Sequence, residues 1–211
     1  MNNVSNIFFS QYLAKVPIVL ILRDLSPDRA REMARLAWDL GVSLVEVPIT
    51  SVSSIESLAA VVDESRGGQE IAGAGSIKST EDIRMCLEAG ASFGVSPGMS
   101  LDVADAARAE GFPWLPGVAT SSDIMLALSR GHEWVKAFPA QSLGAGWFAA
   151  QAGPFPEVSF VATGGVSADN ALDLLAHGAS ALGVGGGGAS PEALKKMLDS
   201  VTSARIAQSG K

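Results

Sequence analysis

Cysteine is close to absent from this chain. Cys86 is the only one among 211 residues, so no disulfide can close within the chain, and a reducing compartment fits. Histidine occurs twice, at His132 and His177. No spaced His/Cys set surrounds either, so the expectation is two structural histidines, no metal and no other cofactor. Lysine and arginine number 15 against 22 aspartates and glutamates, for a net charge of −7. The cations are scattered and nothing tracks a phosphate backbone, which argues against nucleic acid as a partner. No apolar run approaches the 18 or so residues of a membrane span, and the first ten residues lack the charged start and long apolar stretch of a secretory signal. No membrane partner is expected, and the reading is a cytoplasmic protein.

What is present is apolar and repetitive. The chain is 47% hydrophobic and 18% charged, enough to bury a sizeable core and too apolar for a disordered chain. Short β-rich runs at 17–22, 44–47, 70–72, 92–95, 114–115, 134–137, 158–162 and 181–184 alternate with amphipathic stretches near 27–40, 53–64, 79–89, 100–110, 121–130, 145–152, 167–177 and 191–204. Hydroxyl caps before Pro or acidic residues open the helical stretches, as in Ser26-Pro27 and Ser79-Thr80-Glu81. Glycines close them, as at Gly41, Gly90, Gly111, Gly131 and Gly178. Strand–helix alternation with short connections predicts a parallel sheet. Eight units without a linker predict an α/β protein of the (β/α)8 TIM-barrel class, one domain over 1–211. A doubly wound open sheet is the rival. In a barrel the reactive groups belong at the C-terminal ends of the strands.

Six lysines are present, and Lys136 alone interrupts a strand run, in Trp134-Val-Lys-Ala-Phe138. Alternation puts Trp134, Lys136 and Phe138 on one face. If the large residues face inward, so does the amine, near the catalytic rim. Burial favours the neutral form of an amine, and a neutral amine attacks carbonyls. The alternative is a stem packed on the surface with its head in water. Glu46 stands in the second run, sharing a face with Leu44 and Pro48. Barrel layers draw side chains from alternate strands, so strands two and six can place Glu46 opposite Lys136. Such a pair suits acid/base work on an imine; a purely structural ion pair is the other reading.

Two glycine-rich turns follow strands seven and eight: Thr163-Gly164-Gly165 and Gly185-Gly186-Gly187-Gly188. Turns at these positions can bring backbone N–H groups and a helix start to an anion, or can simply be tight turns. Gly73-Ala-Gly-Ser76 after strand three and Ser96-Pro97-Gly98 after strand four are further rim segments.

Leu44-Val-Glu-Val47, Gly73-Ala-Gly-Ser76, Ser96-Pro97-Gly98, Leu115-Pro-Gly117, Val135-Lys-Ala-Phe-Pro-Ala140 and Ala162-Thr-Gly-Gly-Val-Ser167 together resemble the 2-dehydro-3-deoxy-phosphogluconate / 4-hydroxy-2-oxoglutarate aldolase family, class I enzymes that use no metal. The resemblance runs from Pro17 to the last helix. It implies that Lys136 forms a Schiff base, that Glu46 is the acid/base, and that Ser76 helps bind the pyruvate carboxylate. It further implies that Pro97 and Phe138 line the pocket, that Thr163, Gly164 and Gly165 with Gly186 and Gly187 take the distal phosphate end, and that the chain forms a homotrimer. Thr50 stands where gluconate-type members carry arginine, and Arg23 matches an arginine of the galactonate branch that could take over the carboxylate. Thr163 is typical of the gluconate branch, and a serine common in the last glycine loop is replaced around Gly187.

The expected reaction is reversible cleavage of a 2-keto-3-deoxy-6-phospho sugar acid to pyruvate and glyceraldehyde 3-phosphate. An aldolase for 4-hydroxy-2-oxoglutarate or another unphosphorylated 2-keto acid is one alternative. A phospho-sugar isomerase or epimerase using Glu46 as base, or a non-catalytic sugar-acid binder, are the others.

Overall fold

A computed structural model describes residues 3–186 and 190–209. Its strands are β1 (Ile18–Ile21), β2 (Leu44–Pro48), β3 (Ile71–Gly75), β4 (Gly94–Val95), β5 (Trp114–Leu115), β6 (Gly117–Val118), β7 (Trp134–Ala137), β8 (Ser159–Thr163) and β9 (Ala179–Val184). Its helices are α1 (Val4–Leu13), α2 (Pro27–Asp39), α3 (Val52–Glu64), α4 (Thr80–Glu88), α5 (Leu101–Ala109), α6 (Ser121–Ser129), α7 (Ala140–Leu143), α8 (Ala145–Ala152), α9 (Ala171–Ala176) and α10 (Pro191–Ser209). All named strand pairings are parallel, in the order β5-β4-β3-β2-β1-β9-β8-β7-β6.

The order begins with β5 and ends with β6, the two halves of one stave. Pro116 divides them: it has no N–H, so a continuous ladder stops there. Its carbonyl accepts from Lys136 N–H at 2.8 Å on one side, while the Leu115 carbonyl accepts from Ser96 N–H at 3.0 Å on the other. The halves thus join β4 to β7 and close a TIM-barrel-like α/β cylinder. Eight staves were expected and eight are found, the fifth broken in two.

Side chains alternate between two cores, as a pleated strand requires. The inner one contains Val19, Leu44, Ile71, Phe93, Val95, Leu115, Val161 and Ala181, with Trp134 packed against it. The outer one joins the opposite faces, such as Val45, Ala72 and Val135, to the helices. The barrel, not the open sheet, is therefore the fold.

Helix α1 was not anticipated. Its N-cap Asn3 accepts from Ser5 N–H, and Phe9 and Leu13 are buried. Both belong to the inner core, with Phe8 and Tyr12 against them. The helix is stitched beneath the strands: Trp114 N–H donates to Ser5 Oγ at 3.0 Å and Trp134 Nε1 to Ser10 Oγ at 2.9 Å. Two fully buried large apolar side chains are worth about 1.5–3 kcal/mol each, so α1 is a structural stopper at the N-terminal end of the barrel. Helix α9 is shorter than the 167–177 pattern because Ser167–Asn170 form a turn, with Asn170 Oδ1 accepting from Ser167 N–H.

Candidate active site

Lys136 leaves the inner face of β7 two residues beyond Trp134, as alternation requires. Glu46 leaves the inner face of β2 two residues beyond Leu44. Their strands lie on different sides of the cylinder, yet Lys136 Nζ and Glu46 Oε1 are 4.0 Å apart. The side chains are 7% and 3% exposed. That spacing exceeds the roughly 2.7–3.2 Å of a direct hydrogen bond. The pair is close enough for strong attraction where water is scarce, and each keeps bonding capacity for an oxygen placed between them.

Glycines create the room. A Cβ at Gly75 would lie 1.9 Å from Glu46 Oε1, and one at Gly117 would lie 2.3 Å from the carbonyl carbon and oxygen of Pro97. Gly117 is in register with Lys136, so the Pro97 wall presses directly on the stave beside the amine. Gly73 and Gly75 were read as part of a rim segment after strand three. Instead β3 extends to Gly75, and these residues yield inward space, Gly73 to the Phe93 ring and Gly75 to Glu46. This spacer role was missed; a glycine recurring on the inner face of a strand was the signal available for it.

The Phe138 ring links the amine to the first glycine turn. Its centroid is 5.3 Å from Lys136 Nζ, and a Cβ at Gly164 would lie 3.1 Å from its edge. Thr163 is buried at the end of β8, and Gly183 leaves space for its Oγ1. Gly164 and Gly165 have φ of +96° and +74°, a region that suits glycine. Ser76, half-buried at φ +64°, follows β3 directly. Its neighbour Ile77 donates to the Val95 carbonyl at 3.1 Å, which fastens the β3 rim to the β4 rim.

The remaining expected residues stand around the outer rim. Arg23 is exposed just beyond β1, and Thr50 is exposed beyond β2, its N–H donating to Ser54 Oγ at 2.9 Å. Pro97 is exposed above β4. Gly186 follows β9 at φ +57°; Gly187 lies outside the described residues. A cavity of about 200 Å³ at this rim is lined by Arg23, Arg29, Gly186 and Ser190 among others. A larger cavity, about 400 Å³, lies at the other end of the barrel, between α1 and the turns after α5 and α6. It is remote from the Lys136–Glu46 pair.

The geometry places one amine and one carboxylate in a dry layer under a ring of loops. The chain is 34% identical over 162 residues to the KHG/KDPG aldolase of Escherichia coli (strain K12), covering 76% of this chain and 75% of that protein. It is 29% identical over 176 residues to the 2-dehydro-3-deoxy-6-phosphogalactonate aldolase of the same organism, covering 83% and 85%. Its fold is similar to that of the 2-keto-3-deoxy-6-phosphogluconate aldolase of Zymomonas mobilis ZM4 crystallised with 3-phosphoglycerate. There the TM-score is 0.78 at 25% identity, over 92% of this chain and 93% of that one. The KDPG and KHG aldolase family model matches residues 9–206, and the chain belongs to that family of carbon–carbon lyases.

Proposed function

We propose that this protein is a class I aldolase that cleaves a 2-keto-3-deoxy-6-phospho sugar acid, of gluconate or galactonate type, to pyruvate and glyceraldehyde 3-phosphate. The observation that carries the reading is the buried Lys136–Glu46 pair at 4.0 Å, inside a family of aldolases. Relatives named for the gluconate and galactonate substrates both match this chain.

The Lys136 amine adds to the C2 ketone, and loss of water leaves a protonated imine. Glu46 takes the proton of the C4 hydroxyl. The C3–C4 bond breaks, its electron pair moves towards the iminium, and the aldehyde departs from an enamine. Proton return to C3 and addition of water release pyruvate and restore the amine. The imine supplies the electron sink and Glu46 the proton transfer.

Ser76 holds the pyruvate carboxylate, a role Thr50 cannot share for want of a charge, and Arg23, which lines the same rim cavity as Gly186, serves the phosphate end instead. Pro97 and Phe138 form the walls, and Thr163, Gly164, Gly165, Gly186 and Gly187 the phosphate end. We also propose a homotrimer, the assembly the family resemblance implies; light scattering in solution should give three chain masses.

Pyruvate with borohydride should trap a covalent adduct on Lys136, located by peptide mass spectrometry. An active protein whose Lys136 stays unmodified under that treatment would rule the mechanism out. Pyruvate release on gluconate-type, galactonate-type and unphosphorylated acids side by side identifies the substrate.

A further inference from the structure

Among the described residues that line the rim cavity beside β1, two carry charge, and both are arginines: Arg23 and Arg29. Arg23 follows β1, whose Ile21 is in register with Glu46, so it stands beyond the reactive layer on the same side of the barrel. Arg29 is the third residue of α2, and its guanidinium is braced by Glu32 Oε2 at 2.7 Å. Pro191, which opens the 19-residue α10, lines the cavity, as does Ser190, whose Oγ accepts from Ala193 N–H at 3.2 Å. Helix α2 begins at the same cavity, its Ser26 cap making no side-chain bond to the helix.

Each of these features has the same electrostatic sign. Two guanidiniums and two helix starts favour an anion. Glu32 and Asp28 are the acidic residues nearest in sequence on α2. Neither lines the cavity, and both point largely into solvent, at 63% and 91% side-chain exposure. In the sequence between β9 and α10, residues 185–188 are glycine and 189 is alanine, none with a side-chain donor. A phosphate at this rim has no side-chain hydroxyl to meet from that stretch, and the side-chain donors that line the cavity are the guanidiniums of Arg23 and Arg29 and the Ser190 hydroxyl.

We infer that Arg29, acting with Arg23, is a specificity-determining residue that binds the distal phosphate of the substrate at the β1–α2 side of the rim. The inference rests on the aldolase reading above. Glu32 is a positioning residue: it holds the arginine and touches no substrate. The enzyme therefore distinguishes a phosphorylated sugar acid from its dephosphorylated counterpart by a side chain on α2, in addition to backbone N–H groups.

The test compares KM for a 2-keto-3-deoxy-6-phospho sugar acid with KM for the dephosphorylated acid in wild type, Arg29→Gln and Arg29→Lys. Loss of one charge-assisted contact is worth about tenfold, so Arg29→Gln should raise the KM ratio of phosphorylated to dephosphorylated acid by about that factor. Arg29→Lys should recover part of the ratio. Inorganic phosphate, as a competitive inhibitor, should weaken in Arg29→Gln to the same degree. A ratio and a phosphate inhibition that both stay at wild-type values would overturn the assignment. So would equal losses on the two acids. Borohydride trapping of pyruvate in the Arg29→Gln protein separates the two ideas: an adduct with an unmoved ratio sinks Arg29 alone, whereas no adduct even in the wild type sinks the aldolase reading.

Discussion

Glu46 Oε1 lies 4.0 Å from Lys136 Nζ, across the cylinder from it and out of solvent. If the carboxylate moves the proton and the amine forms the bond, the two roles separate on substitution. Glu46→Gln should still be trapped by pyruvate and borohydride, while kcat for cleavage falls by about 10²–10⁴. Single-turnover measurements alongside trapping check both halves. Equal loss of the two would mean that Glu46 serves only to hold Lys136.

Two glycines near the pair predict opposite kinds of damage. At Gly75 the clash would be with the end of the Glu46 side chain, 1.9 Å from the added Cβ, and a side chain can swing away. Gly75→Ala should therefore fold, with a melting temperature close to wild type, and, if Glu46 is the proposed base, lose about a hundredfold or more in kcat through its displacement. At Gly117 the clash is with Pro97 backbone at 2.3 Å, which cannot yield without moving the wall. Gly117→Ala should lose stability by about 1–3 kcal/mol, as over-packed sites do. Thermal melts and turnover of the two variants make the comparison.

His132 carries an acid-sensitive term. It is 4% exposed, its Nδ1 has no hydrogen-bond partner among the described residues, and burial pushes its pKa down to about 4 from 6.5. Between those values the unfolded chain binds a proton that the folded chain does not. Stability should thus fall as pH drops from about 6.5 to about 4 and lose nothing further through this residue below that, for a total of about 3 kcal/mol. Urea unfolding from pH 7 to 4.5 should show a slope shallower by up to about 1.4 kcal/mol per pH unit in His132→Gln. An identical slope would remove His132 from the account.

Cys86 should be inert in the folded protein. It is fully buried on α4, and burial with Asp82 nearby pushes the thiol up to about 12. Only about one molecule in ten thousand would hold a thiolate at pH 8. A disulfide reagent should find no reactive thiol in buffer and one per chain in concentrated urea.

The barrel and the meeting of Lys136 with Glu46 were legible in the sequence because both leave local marks. A lysine and a glutamate in apolar strands are costly unless they meet, and strand parity brings Lys136 and Glu46 to one layer. What escaped notice depends on partners distant in sequence. Gly75 reads as turn chemistry until the Glu46 carboxylate is seen against it. The division of the fifth stave at Pro116 shows only when Ser96 and Lys136 are found bonded to successive carbonyls. Helix α1 has an Asn3 cap and apolar residues spaced four apart, Phe8 with Tyr12 and Phe9 with Leu13, yet its binding site is the underside of strands far along the chain. Arg29 looks like an ordinary exposed helix residue, and only the fold puts it beside Arg23 and Ser190.

Phe9 and Leu13 give the cylinder a floor. A vessel with a floor has a single doorway, so whatever reaches Lys136 arrives over the sill where Arg23, Ser76 and Phe138 stand, and whatever leaves goes back the same way. Under the imine mechanism the covalently tethered fragment must then wait its turn: the aldehyde passes out first, and the keto acid follows once water has come in behind it.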